Sequence, residues 1–439
     1  MKYLTKTNYV ARCRCPKLLR LKYHDIGRPT DKLSQYLFDT GNYVEQLAYC
    51  LFHDGLMINA RGFSMNDLCI RTRHAMLAAP TYLFQGAFQW EKILCITDVL
   101  IKREIGWDLL EIKMNSKCKT EHIQDIAFQS FCLQKNNIDI VGKYLLHTNS
   151  KYIRHGSIYP HELFISEDIS GDVETESIRV PENINAFLSL LENKEYPDQP
   201  MGSKFKNPYL CPYIDYCLAE GELKPTCSSD IIINRKAIIE FVSQINTPVY
   251  FIDFETYQPA IPVFDGTRPF QYSLHVLDGN LKHFSFLATN RQDPRRLLTE
   301  SLLSQIGTKG TLVAWNATFE IRCIKQLAEA FPDLRMDLLA LIPRFVDLMQ
   351  PFRKKYYCHP GFKGSYSLKN VLPILVPKLN YKNLLIKKAQ DSFMVYHSYV
   401  NGGIDDAGWE MAQMGLLAYC GLDTAGMVAI LAILKGISR

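Results

Sequence analysis

Asp253 and Glu255 stand two residues apart in Val-Tyr-Phe-Ile-Asp-Phe-Glu-Thr, an apolar, β-favouring run. Side chains alternate along a strand, so both carboxylates leave the same face. Adjacent acids repel each other, and a divalent cation relieves that cost. Tyr419 and Asp423, in Tyr-Cys-Gly-Leu-Asp, lie four apart in a stretch that reads as helix, which puts phenol and carboxylate on one helix face. Acid-x-acid on an early strand with Tyr-x-x-x-Asp on a late helix suits two-metal hydrolysis of a phosphodiester. Between them, Trp315-Asn-Ala-Thr-Phe-Glu320 reads as a strand end and a helix start. Asn316 is placed to cap that helix, and Glu320 points from its first turn.

A second constellation precedes this one. Asp98 falls on one strand of an expected hairpin, and Glu111 and Lys113 on the other. Glu-x-Lys places both groups on one strand face, with Ile112 turned away. Two carboxylates can hold Mg²⁺ while the lysine polarises water or phosphate. Gln129, on the next helix, is placed to orient the group. The trio alone also fits a solvated strand face; its order, followed by a helix bearing glutamine, argues for chemistry.

The elements that must position these groups follow from pattern. Upstream, residues 31–53 read as helix, Ile93–Ile101 and Asp108–Lys113 as strands joined near Gly106, Glu121–Leu133 as helix and Val141–His147 as strand. Pro and Gly crowd the stretch from Glu195 to Asp230, which forbids long regular elements there. Downstream, a helix at Arg235–Gln244 leads to strands at 249–254, 269–277, 281–287 and 311–315. Helices follow at 318–330, 367–374 and 408–435. The expected organisation is α/β with two domains, 1–227 and 245–439, joined by a linker and helix at 228–244.

Asp98, Glu111-Ile-Lys113 and Gln129 resemble the core of the PD-(D/E)XK nucleases of the Cas4/RecB-like branch. The resemblance implies a restriction-endonuclease-like fold, acids that bind Mg²⁺ or Mn²⁺, and a lysine that assists the attacking water. Leu133 stands where that branch carries tyrosine, and Glu45 is the candidate for its early acidic ligand. Such nucleases bracket their core with cysteines, and Cys15, Cys211 and Cys217 look like ligands of a [4Fe–4S] cluster. A fourth cysteine is missing before Cys211, where Phe205 and Pro208 stand. Cluster ligands and packing cysteines are therefore both open readings.

Asp253, Glu255, Glu320, Tyr419 and Asp423 resemble the DEDDy 3′–5′ exonucleases. That implies an RNase H-like fold, Mg²⁺ or Mn²⁺ on the four acids and water oriented by Tyr419. Glu320 replaces the family's usual aspartate. With Gly364-Ser-Tyr-Ser-Leu-Lys369, in which Ser367 reads as a helix cap and Lys369 as a solvated lysine or a contact to a substrate phosphate, the chain looks like the DUF2779 family along nearly its whole length. The implied function is a metal-dependent nuclease, with 3′–5′ exonuclease chemistry in the C-terminal half and DNA cleavage in the N-terminal half, in repair, recombination or defence. The alternative is a nucleic-acid-binding protein with one or both sites inactive. The implied partner is nucleic acid, DNA rather than RNA, with single-stranded ends at the C-terminal half. Arg353 to Tyr357 offer basic and aromatic contacts for it.

Bulk properties are compatible with this. A chain of 439 residues with 47% hydrophobic and 22% charged residues can bury two cores. A net charge of +5 gives little long-range steering, so any basic groove must be local. No apolar run reads as a membrane span, and Ala425 to Leu434 reads as a buried helix. The polar N-terminus lacks the core of a signal peptide, which suggests a cytoplasmic protein whose 13 cysteines are mostly thiols.

Overall fold

The computed structural model describes residues 3–23, 32–58, 62–152, 154, 156–192, 213, 230–261, 268–362 and 364–438. It is a mixed α/β protein with several sheets and many helices. The chain divides into two compact units, Met1–Lys224 with Ala260–Asp265, and Pro225–Pro259 with Gly266–Arg439. The helix Arg235–Val242, assigned to a linker on sequence, packs against the last helix of the second unit, its apolar face supplying Ile238 and Phe241.

The first unit carries a seven-stranded sheet of β1 (Leu4–Thr5), β2 (Leu56–Met57), β3 (Tyr82–Trp90), β4 (Ile93–Lys102), β5 (Trp107–Lys113), β6 (Ile140–Thr148) and β7 (Phe164–Asp168). The order is β2-β3-β4-β5-β6-β7, with β1 added in parallel to β4. β4 is a nearly continuous apolar run and is buried on both faces, as a central strand should be. The β4–β5 hairpin turns at Gly106, whose φ is +78° and whose position leaves no room for a Cβ beside the Asp139 carbonyl. β5 and β6 are parallel, so the chain must cross over, and the helix Thr120–Lys135 makes that crossing. Ile126, Phe128, Cys132 and Leu133 of this helix are fully buried, so Leu133 is a core residue.

The second unit carries β8 (Ile232–Ile233), β9 (Val249–Tyr257), β10 (Arg268–Asp278), β11 (Asn280–Leu287), β12 (Thr311–Ala314), β13 (Phe345–Asp347) and β14 (Tyr357–Cys358). Five of them form a sheet in the order β11-β10-β9-β12-β13, antiparallel across β11, β10 and β9 and parallel across β9, β12 and β13. β8 and β14 pair separately. Strand alternation divides β9 cleanly. Tyr250, Ile252 and Phe254 join a core with the helices Arg295–Gln305, Thr318–Ala330 and Arg335–Leu341. Asp253 and Glu255 therefore leave by the opposite face, against which the helix Asp406–Ser438 packs.

That last helix buries Leu416, Tyr419, Cys420, Asp423, Thr424, Met427, Ile430, Leu431 and Leu434, a stripe recurring every three or four residues. By length and composition it could cross a membrane, contrary to the expectation that no apolar run reaches that length. Half of its apolar window is buried inside this fold, against β9 and β10, and the same test is met by core helices.

Candidate active site

β9 and the last helix bring three carboxylates together. Oxygens of Asp253, Glu255 and Asp423 all lie within 4.8 Å of one another. Polar ties between sheet and helix set this register. Gln271, opposite Glu255 on β10, donates to the Leu416 carbonyl at 2.8 Å. Ser273, opposite Asp253, meets the Thr424 hydroxyl at 2.7 Å. The Cys420 thiol also donates to Asp253 Oδ2 at 3.4 Å.

Glu320 is buried in the first turn of its helix, and one of its oxygens has no hydrogen-bond partner. It lies outside the three-residue set, but its charge acts on Asp253 and the Glu255 charge acts on it. The helix begins at Thr318 with Ala317 as its N-cap; Asn316, at φ +69°, contributes its backbone carbonyl to Phe319 and its own N–H to Asp347 instead of capping with its side chain. Ser367 likewise stands at a helix N-cap without a side-chain cap bond.

Among the described residues, no lysine or arginine forms an ion pair with these four acids. Their protonation reflects this. Burial, then the charges of Asp423, Glu255 and Glu320, pushes Asp253 well above the carboxylate range. Burial raises Glu255 to about 8 and Glu320 to about 8. Asp423 rises only to about 6, because burial is opposed by hydroxyls of Tyr381 and Tyr419 and by the Lys369 charge. A metal-free cluster of this kind holds protons that a divalent cation would displace.

This predicts a pH signature. These acids have folded pKa values above their unfolded ones, so the metal-free fold loses stability as pH rises from the ordinary carboxylate range towards 8. Mn²⁺ should therefore raise the thermal unfolding temperature more at pH 8 than at pH 5.5. Scanning fluorimetry with and without Mn²⁺ checks it, and an increment independent of pH would contradict it.

Two further side chains border the site, and only Tyr381 was missed by sequence reasoning. Tyr381 donates its hydroxyl to Asp423 Oδ1 from a stretch with no motif. Lys369 is half-buried, its ammonium 4.7 Å from the Tyr419 ring centre and 5.6 Å from that of Tyr381. It is thus not a solvated lysine. Burial lowers its pKa against the pull of Asp423 and Glu255. Of the Arg353–Tyr357 cluster, Arg353 pairs with Asp347 at 3.3 Å and Tyr357 is buried, so these two are engaged within the protein.

The first unit also gathers its expected residues, on different terms. The Glu111 carboxylate is fully buried and accepts from Lys113 at 2.5 Å and from Gln129 at 2.8 Å. Asp98 accepts the Ile112 backbone N–H at 2.8 Å across the hairpin. Two further members escaped sequence reasoning. Asp125 accepts from Lys113 at 2.9 Å and Gln129 at 3.0 Å; its spacing of four from Gln129 was a usable signal. Lys6 reaches in from the first helix, 2.8 Å from Glu111 and 3.3 Å from Asp98. Glu45 accepts from Tyr49 at 2.6 Å and from Gln85. Cys15 is buried in a small apolar cluster with Ala11, Leu18, Leu21 and Tyr213. Cys211 and Cys217 lie outside the described residues.

With this geometry in view, the comparisons add family context. Residues 250–367 match the domain of unknown function DUF2779. The match is narrower than a whole-chain resemblance: it takes in Asp253, Glu255, Glu320 and the 364–367 segment and ends before Tyr419 and Asp423. Uncharacterized protein UU173 of Ureaplasma parvum serovar 3 is 27% identical over 230 residues, covering 46% of this chain and 33% of that protein. The chain thus matches about a third of the length of that relative.

Proposed function

We propose that the second unit is a metal-dependent phosphodiesterase that removes nucleotides from single-stranded 3′ ends, DNA rather than RNA. The observation that carries this is the convergence of Glu255 and Asp423, both buried, with half-buried Asp253, without a paired lysine or arginine among the described residues, beside two tyrosines and a half-buried lysine. Protein interiors do not gather uncompensated acids for stability, because each raises the cost of ionising the others. The donor set is all oxygen, which fits Mg²⁺ or Mn²⁺. When bound, the metal would supply Lewis acidity and a hydroxide at neutral pH. Asp253, Glu255 and Asp423 would hold it, with Glu320 as the outlying ligand. The Tyr419 hydroxyl would orient water, Tyr381 would fix Asp423, and Lys369 would meet the phosphate. The sheet order, three antiparallel strands followed by two parallel ones with the acid-bearing strand central, supports an RNase H-like reading of this unit.

For the first unit, the β4–β5 hairpin, the crossing helix and parallel β6 support a PD-(D/E)XK-like core. Its acids are already paired, which favours a nucleic-acid-binding role over cleavage for that half.

The test is direct. Purified protein with Mn²⁺ should shorten 5′-labelled single-stranded DNA progressively from the 3′ end. Lys369→Met should slow this by on the order of tenfold or more while leaving Mn²⁺ affinity within a few-fold. Intact single- and double-stranded DNA and RNA after incubation would defeat the proposal.

A further inference from the structure

We propose that Lys6 serves the N-terminal acid cluster as a built-in cation, standing where Asp98 and Glu111 would bridge a divalent ion, so that this cluster stays metal-free. The inference goes beyond the exonuclease reading and is independent of it.

Every carboxylate oxygen of the cluster has a donor. Asp98 Oδ1 takes Lys6 Nζ and Oδ2 takes the Ile112 N–H. Glu111 Oε1 takes both Lys6 and Lys113, and Oε2 takes Gln129. Asp125 Oδ1 takes Gln129 and Oδ2 takes Lys113. A divalent cation needs several oxygens free on one side at roughly 2.0 to 2.6 Å. Here the shared side of Asp98 and Glu111 is filled by an ammonium 3.3 and 2.8 Å from the two acids. The charge balance points the same way: two ammonium groups pair with Asp98, Glu111 and Asp125, with Glu45 acting on Asp98 from further off, whereas the cluster of Asp253, Glu255 and Asp423 has no ion-pair partner among the described residues. As arranged, the N-terminal residues do not fit a metal.

Lys6 is not a wandering surface side chain. Its direction is set by elements on both sides of it. β1 pairs with β4 at Leu4↔Ile93 and Thr5↔Leu94, and the Leu4 N–H meets the Lys92 carbonyl at 2.9 Å. Lys6 opens the helix Lys6–Arg14, with Thr5 as its cap. Leu4 and Tyr9 are fully buried on either side of it. The backbone thus delivers the ammonium to the acids from a fixed point, and the burial cost of a lysine is met by two carboxylates.

The experiment is Mn²⁺ binding to the full chain, read by loss of the free-ion EPR signal. It is done in an Asp253→Asn background, which keeps the C-terminal cluster out of the reading. Asp253→Asn protein should hold no Mn²⁺ sensitive to Asp98→Asn. Adding Lys6→Met should create a site on the order of tenfold to a hundredfold tighter than any binding in the parent. Glu111→Gln should remove it again. Should Lys6→Met fail to fold, Lys6→Gln keeps a hydrogen-bond donor without the charge and is read in the same way. Mn²⁺ bound with Lys6 intact and lost on Asp98→Asn overturns the proposal. So does folded Lys6→Met or Lys6→Gln protein that binds no more tightly than its parent. If wild type binds no Mn²⁺ anywhere, the exonuclease reading fails, while the gain on removing Lys6 still decides this one.

Discussion

Asp253→Asn is expected to abolish exonuclease cleavage and weaken Mn²⁺ binding by at least about a hundredfold, while making the metal-free protein more stable. Both effects have one cause. Asp253 is held among Asp423, Glu255 and Glu320, and burial together with their charges disfavours its ionised form. Only a cation makes that arrangement favourable. Asparagine keeps the shape and can still face the Cys420 thiol, but it removes the charge that repels its neighbours and the charge that would hold a metal. At pH 8 the metal-free variant should be the more stable of the two, because asparagine carries no charge to be desolvated or repelled. Denaturant unfolding in EDTA, paired with Mn²⁺ titration and a labelled-DNA assay, reads all three quantities. A variant that is inactive and also less stable would mean that Asp253 is a structural residue. One that stays active would remove it from the site.

Glu111→Ala should have the opposite sign, with a loss on the order of 3–5 kcal/mol confined to the first unit. Glu111 is fully buried and takes hydrogen bonds from Lys6, Lys113 and Gln129. Burial opposes its charge, but Lys113 and Lys6 overcome that and hold its pKa below the carboxylate range. Without it, two ammonium groups are left in the core with only Asp98 and Asp125. The same interaction fixes a pH window. A depressed folded pKa means stability that is complete above the unfolded carboxylate value and is lost as pH falls through the folded one. Hydrogen exchange in β4, β5 and the Thr120–Lys135 helix of the full chain should accelerate in Glu111→Ala and, in wild type, towards strong acid. Protection in the Asp253 strand should change little. Uniform exchange across both units, or none at all, would contradict the assignment of Glu111 as the anchor of the lysine pair.

The two predictions differ in sign because the two acid clusters differ in counter-charge, and that difference was only partly legible in the sequence. Strand alternation placed Lys113 beside Glu111 there, but one lysine does not balance the acids of that cluster. What separated them is Lys6, which lies 92 and 105 residues from its partners. Tyr381 came from a segment with no periodicity, 42 residues before Asp423. Lys369 read as solvated because a lysine beside a helix start usually is. Its half-burial between two rings depends on where the last helix passes.

Local geometry, by contrast, carried far. A period of two placed Asp253 with Glu255 and Glu111 with Lys113, and a spacing of four placed Tyr419 with Asp423. Those relations depend only on neighbouring backbone dihedrals, so a string of residue types specifies them. The sequence by itself therefore determined which acids share a face and which elements carry them. Only the tertiary structure decided that Lys6 meets Asp98 and Glu111 and that Lys113 also meets Asp125, because such contacts join stretches that no local rule connects. It also decided that one cluster takes ion pairs from two lysines while the other, among the described residues, has no paired basic residue.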